Sequence, residues 1–192
     1  MNYQNRKGII ILFVAIFSLS LLNGCGKETA DNKKEEENTS TTYENGITSD
    51  QIRSLEGEDL NGNAVDSTIF SNYDLTMVNI WATWCGPCVE ELPALASLYK
   101  NLPENVNLIT ICSDGSEAKS NAKSILNESG AKFITICGDK TIQETTLKNV
   151  SAIPTTIFVD KKGNVIGQPL LGAATEKDYA NEIDARLKNI VD

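Results

Sequence analysis

The 192-residue chain contains no histidine. That absence removes Ser–His and Cys–His catalysis and every metal site built on imidazole, so a proton acceptor here has to be a carboxylate, a thiolate or water. Positive charge is scarce as well: 17 Lys and Arg stand against 26 Asp and Glu, a formal net charge of −9. With no basic patch, nucleic acid is excluded as a partner. Five cysteines are present, but only one Cys-x-x-Cys pair, which argues against a four-cysteine zinc site. The apolar run at residues 8–22 covers 15 positions, short of the roughly 20 that a transmembrane helix needs.

The N-terminus does carry Arg6 and Lys7 ahead of that run and Leu22-Asn23-Gly24-Cys25 behind it. This is the layout of an export signal, and its end resembles a bacterial lipobox. Residues 1–24 are therefore expected to be a lipoprotein signal peptide, with Cys25 lipidated as the mature N-terminus; simple signal cleavage or an uncleaved anchor are the alternatives. Residues 25–47 are mostly Lys, Glu, Asn, Thr and Ser, with almost nothing to bury, and should form a disordered tether. Residues 48–192 are long enough for one domain with its own core. Assigning Cys25 to lipid leaves four cysteines, which accounts for the odd number in an exported protein.

Trp84-Cys85-Gly86-Pro87-Cys88 follows a strand-like apolar run, residues 75–82, and opens a helical pattern through residue 99. A strand that turns straight into a helix puts Cys85 at the helix N-terminus, where orphan N–H groups and the macrodipole stabilise a thiolate. Pro87 lacks an N–H and suits the first turn, where that donor would be unused. Cys88 lies one turn inside, so the two sulfurs can meet. The pattern is that of a dithiol–disulfide switch. Half a zinc site or a structural disulfide are the blander readings, and neither calls for a helix mouth beside a Trp.

Along the rest of the chain, Asn61-Gly62 signals a tight hairpin between short strands. Residues 106–112 and 133–137 read as buried strands. Residues 116–129 place Ala118, Ala122, Ile125 and Leu126 on one helical face, with Gly130 as C-cap. Pro93 is expected to kink or break the Cys88 helix. Thr141-Ile142-Gln143-Glu144 has the form of a capping box, and residues 155–159 and 164–167 flank a hairpin turn. A closing helix at residues 175–190 buries Tyr179, Ile183, Leu187 and Ile190. The order after the first hairpin, β-α-β-α-β-α-β-β-α, predicts an α/β fold with three layers and a mixed sheet.

Residues 78–88, Glu91-Leu92-Pro93, the extra helix and strand at 116–137, and Ile153-Pro154-Thr155-Thr156 together resemble thioredoxin-fold proteins, most closely the extracytoplasmic TlpA/ResA-type thiol–disulfide oxidoreductases. The resemblance covers residue 48 to the end. It implies a thioredoxin-like three-layer α/β/α fold with a mixed central sheet, an N-terminal hairpin extension and an inserted helix–strand unit. It implies Cys85 as nucleophile, Cys88 as buried resolving thiol and Pro154 as a cis-proline against the disulfide. Ile153 would offer backbone groups to a client peptide, and Trp84, with Gly86 and Pro87, would present the contact surface, while Trp81 reads as core. Asn79 departs from the aspartate that cytosolic thioredoxins bury at this point. Asn cannot take a proton, which leaves Glu91, with its pKa raised by burial, as the candidate acceptor.

Cys112 and Cys137 end matching frames, Ile-Thr-Ile-Cys, in two strands. If those strands are neighbours with aligned ends, their Cα atoms come to about 5 Å, within disulfide reach; two buried free thiols are the alternative. The reading as a whole is a membrane-tethered, extracytoplasmic protein-disulfide reductase that needs no cofactor, because the dithiol carries both electrons. The resemblance implies recharging by a CcdA/DsbD-type membrane electron donor, and clients such as apocytochrome c or methionine sulfoxide reductase. A peroxiredoxin-type thiol peroxidase would need a Pro-x-x-x-Thr-x-x-Cys loop that Cys85 lacks. A metal-delivery protein on this fold would need a distal histidine.

Overall fold

The structure, a computed structural model, describes residues 46–191. The predicted signal peptide, the lipidation site Cys25 and nearly all of the 25–47 tether lie outside the described residues. Ile47, assigned above to the tether, is completely buried. It belongs to the folded part, because its apolar side chain joins one of the two cores.

The described chain opens with helix α1 (Ser49–Arg53), capped reciprocally by Thr48 and Gln51, then an antiparallel hairpin of β1 (Glu56–Glu58) and β2 (Ala64–Asp66). Next come β3 (Leu75–Trp81), α2 (Gly86–Lys100), β4 (Val106–Cys112), α3 (Lys119–Ser129), β5 (Ile134–Cys137) and α4 (Lys140–Glu144). The chain closes with β6 (Thr155–Asp160), β7 (Leu170–Leu171) and α5 (Glu176–Val191). Five strands form one sheet in the order β5-β4-β3-β6-β7. β3, β4 and β5 run parallel; β6 and β7 are antiparallel to their neighbours.

Every residue of β3 and β4 is buried, as expected of central strands covered on both faces. Alternation then divides the apolar side chains between two cores. Leu75, Met77 and Trp81 face one core with Leu92 and Leu95 of α2, Ala122 of α3 and Tyr179 and Ile183 of α5. Val78, Ile80, Ile109 and Ile111 face the other, with Ile52 of α1 and Ile142 of α4. This is the predicted three-layer arrangement. The hairpin is clipped to the outer edge of β5 by a bridge between Asp59 and Ile136 and by Leu60 N–H donating to Thr135 O at 3.0 Å. An open strand edge is thereby partly covered.

One turn design occurs twice. In both Asp59-Leu60-Asn61-Gly62-Asn63 and Asp160-Lys161-Lys162-Gly163-Asn164, the aspartate Oδ1 accepts the N–H groups two and four residues on, and Oδ2 accepts the Asn side-chain amide. Gly62 and Gly163 sit at φ +87° and +79°, conformations open to Gly at no steric cost.

Four local expectations are corrected. Helix α2 runs unbroken through Pro93; Leu92, Leu95, Ala96 and Leu98 bury its sheet-facing side, and packing outweighs one missing hydrogen bond. Helix α4 is capped by Asp139, whose side chain accepts from Ile142 N–H at 2.9 Å, so Thr141 falls inside the helix rather than capping it. Helix α3 begins at Lys119, not at Ser116. After β6 the return chain pairs only at Val165, leaves the ladder at Gly167 (φ +71°) and Pro169, and rejoins as β7. Proline has no donor for the ladder.

Candidate active site

β3 delivers the chain to the sheet's end, and α2 starts at once. Cys85 is the N-cap of α2, with extended backbone angles; its N–H donates to Ala82 O at 3.1 Å and its carbonyl accepts from Val89 N–H at 3.0 Å. Its side chain makes no capping hydrogen bond, so the sulfur is left for chemistry at the positive end of the helix. Pro87 lies in the first turn. Cys85 and Cys88 are joined as a disulfide, with Cα atoms 5.3 Å apart. The two are unequal: Cys85 keeps 6% of its surface exposed and Cys88 none. An added side chain at Gly86 would meet no atom within 4 Å. Trp84 stands 72% exposed beside the pair, whereas Trp81 is completely buried, its Nε1 donating to Thr110 at 3.3 Å.

The opposite wall is the loop before β6. The Ile153–Pro154 bond is cis, and the Ile153 carbonyl oxygen lies 3.9 Å from Cys85 Sγ. Pro154 O accepts from Gly172 N–H at 2.9 Å, which ties in the segment after β7. A cavity of about 370 Å³ has Trp84, the chain neighbour of Cys85, and Ile153, together with Leu147 and Val150, among its lining. Among the described residues no charged side chain lines it. Among the described residues, Trp84, Leu171 and Ile134 are the large apolar side chains left exposed. Trp84 adjoins Cys85 in the chain, and Leu171 adjoins Gly172.

Behind Cys88, Glu91 points into the protein and is only 5% exposed. Its Oε1 accepts from Asn79 Nδ2 at 2.9 Å; its Oε2 accepts from Tyr179 OH at 2.8 Å and Ala174 N–H at 3.1 Å. Burial pushes its pKa above the usual carboxylate value, and these three donors pull it back only in part. Asn79 belongs to a polar row in register across four strands, Thr135–Thr110–Asn79–Thr156. The hydroxyls of Thr110 and Thr135 are 2.8 Å apart, and Asn79 Nδ2 also donates to Thr156 Oγ1 at 3.0 Å. Asn79 Oδ1 has no hydrogen-bond partner among the described residues.

The site is thus a helix-mouth disulfide whose outer sulfur lies against the carbonyl before a cis-proline, with a buried carboxyl one turn further along the helix. Residues 47–183 match the Redoxin family. The chain belongs to that family. The redoxin is 29% identical over 145 residues to the thiol-disulfide oxidoreductase ResA of Bacillus thuringiensis (strain Al Hakam), an alignment covering 75% of this chain and 73% of the relative. Against ResA of Bacillus subtilis (strain 168) it is 26% identical over 184 residues, covering 93% of this chain and 91% of that one. Its fold is similar to the crystal structure of a thiol:disulfide interchange protein, of the thioredoxin family, from Chlorobium tepidum TLS. The TM-score is 0.61 at 21% identity, covering 70% of this chain and 94% of that one. The redoxin is thus a thiol–disulfide oxidoreductase of ResA type on a thioredoxin-like fold, with Cys85–Cys88 as its cysteine pair.

Of the residues singled out from the sequence, the structure gathers Trp84, Cys85, Gly86, Pro87, Cys88, Ile153 and Pro154 at one end of the sheet and sets Glu91 behind them. Cys25 lies outside the described residues. Cys112 and Cys137 are register partners on β4 and β5, as aligned strand ends require, but both are free thiols. Cys112 Sγ instead donates to Asp114 Oδ1 at 3.3 Å. Sequence reasoning missed Tyr179 and Ala174 as partners of Glu91, and Asp114 as the anchor of Thr83.

Proposed function

We propose that this redoxin is exported, held at the membrane by lipid on Cys25 through a tether at residues 25–47, and reduces disulfides in extracytoplasmic client proteins. The observation that carries the catalytic part is the inequality of the two sulfurs: one at the rim of the helix mouth, the other sealed beneath it. In the reduced enzyme the Cys85 thiolate attacks one sulfur of a client disulfide and expels the other as a thiolate, giving a mixed disulfide. Cys88 gives its proton to Glu91, and its thiolate attacks Cys85 Sγ. The client leaves with both sulfurs reduced, and the enzyme keeps the Cys85–Cys88 bond. Two electrons have passed to the client; a membrane dithiol donor of the CcdA/DsbD kind returns them.

Reduction is favoured over oxidation because Gly86-Pro87 is the dipeptide of thioredoxin, whose potential is about −270 mV. The uncharged cavity between Trp84 and Ile153 suits an apolar stretch of client chain next to its cysteine. Equilibration with glutathione tests the direction: a potential below about −220 mV supports a reductase, and one near −120 mV, the value of a strong oxidant, reverses it. Clients are identified by replacing Cys88 with Ser and recovering what stays bound to Cys85. The lipid anchor is tested by feeding cells a clickable fatty acid: label on the wild type that is lost in Cys25→Ala supports it, and an unlabelled wild type would refute it.

A further inference from the structure

Glu91 lies in a closed ring of hydrogen bonds drawn from β3, β6 and α5. Tyr179 OH has one proton and gives it to Glu91 Oε2 at 2.8 Å. Its contact with Thr156 Oγ1, at 3.4 Å, must then run from Thr156 to Tyr179. Thr156 Oγ1 accepts from Asn79 Nδ2 at 3.0 Å, and the second Nδ2 proton goes to Glu91 Oε1 at 2.9 Å. Asn79, Thr156 and Tyr179 are completely buried. Every donor in the ring leads to the carboxylate, so the arrangement fits the ionised acid. Once Glu91 holds a proton on Oε1, that O–H faces the N–H of Asn79, donor against donor.

Asn79 has what resolves this, because its Oδ1 is buried and has no partner among the described residues. We propose that Asn79 positions the proton of Glu91 by turning its amide. It presents Nδ2 to the ionised carboxylate and, after a half-turn about its terminal torsion, Oδ1 to the protonated acid. In the turned state Oδ1 accepts from both Glu91 Oε1–H and Thr156 Oγ1–H, while Tyr179 and Ala174 go on donating to Oε2. One end of the amide faces away from the ring in either orientation, and the turn also moves the single Thr156 hydroxyl proton from Tyr179 to Asn79. The proton arrives from the Cys88 thiol and returns to it, and nothing is oxidised or reduced at Asn79. An aspartate at this position would instead set a second carboxyl against Glu91, and the two would share one proton.

The groups around Glu91 leave the ring in control of its titration. Among the described residues Tyr179 on α5 is the titratable group hydrogen-bonded to Glu91; Cys88, one turn back on α2, is held in the disulfide, and Asn79, Thr156 and Ala174 N–H carry no charge. Arg186, further along α5, lies over the Phe158 ring and is engaged by Glu182 and by the carbonyls of Ile166 and Gln168. Asp178 is held by Thr175.

The inference rests on the reading of Glu91 as the proton acceptor of Cys88 and is testable apart from it. In intact oxidised protein labelled with ¹³C-glutamate and ¹⁵N-asparagine, the Asn79 side-chain amide resonance should move with pH at the same midpoint as the Glu91 carboxyl. In Glu91→Gln the new amide donates where the acid proton would lie. The Asn79 resonance should then stay at its low-pH position at every pH. Asn79→Leu, which removes a donor to the charged form, should raise the Glu91 midpoint by about one unit. An Asn79 resonance that stays flat through the Glu91 midpoint, or one fixed at its high-pH position in Glu91→Gln, overturns the proposal without any need for the Leu variant to fold. If the amide follows the carboxyl while Glu91→Gln leaves the pH profile of Cys88 unchanged, the turning amide stands and the catalytic reading of Glu91 falls.

Discussion

Asp114 accepts hydrogen bonds from both the backbone N–H and the hydroxyl of Thr83, at 3.0 and 2.6 Å. The loop after β4 is thereby tied to the residue two places before Cys85. The same carboxylate accepts from Cys112 Sγ, so one acidic group joins the end of β4 to the entry of the dithiol.

Burial alone would push the Asp114 pKa up; the donors from Thr83 and Cys112 outweigh it and hold the group below the usual aspartate value. A depressed carboxylate contributes stability that is present above its unfolded-state pKa and lost as pH falls through the folded one. Asp114→Asn is predicted to lose about 1–3 kcal/mol at neutral pH and to show a shallower loss of stability on acidification. Urea unfolding from pH 7 down to about pH 3 measures both effects, and a wild-type-like acid limb would refute the assignment.

Glu91 has the opposite sign. Its pKa is raised, so its contribution is complete below the ordinary glutamate value and is lost as pH rises through the folded one. Glu91→Gln should therefore gain stability relative to wild type as pH rises from about 4 to 8, the reverse of the Asp114 variant. Its resolving step, read as decay of the mixed disulfide at pH 7, should slow by about a hundredfold. A more stable variant with an unchanged resolving rate would leave Glu91 a structural group only.

The dithiol and the fold were legible because they depend on local signals: an apolar run, a helix-start pattern and period-3.6 stripes. The Glu91 ring was not. Tyr179 reads as one more member of the stripe with Ile183 and Leu187, and it lies 88 residues from Glu91. Only strand register brings Asn79 beside Thr156 and beneath α2. Asn79 and Glu91 were each singled out, but nothing local joins them. The misplaced cap of α4 has a local cause: Asp139 and Thr141 are both capable caps, and the chain uses the earlier one. Both hairpin turns are legible in the sequence, and the repeat of Asp-x-x-Gly-Asn at residues 59–63 and 160–164 is a further signal it carries.

Cys112 and Cys137 face the α2 side of the sheet as free buried thiols, and burial raises the pKa of both. Both should resist alkylation in native protein prepared without reductant. After unfolding in urea, still without reductant, both should label while Cys85 and Cys88 do not. Absence of label at positions 112 and 137 after unfolding would mean that they are bonded.

The account depends most on the division of labour between Cys85 and Cys88. Reduced protein treated briefly with limiting iodoacetamide at pH 7, then digested and weighed, reads it directly. Cys85 is predicted to be labelled at least about tenfold faster than Cys88, because it alone reaches solvent at the helix mouth. Equal labelling, or labelling of Cys88 first, would contradict the mechanism.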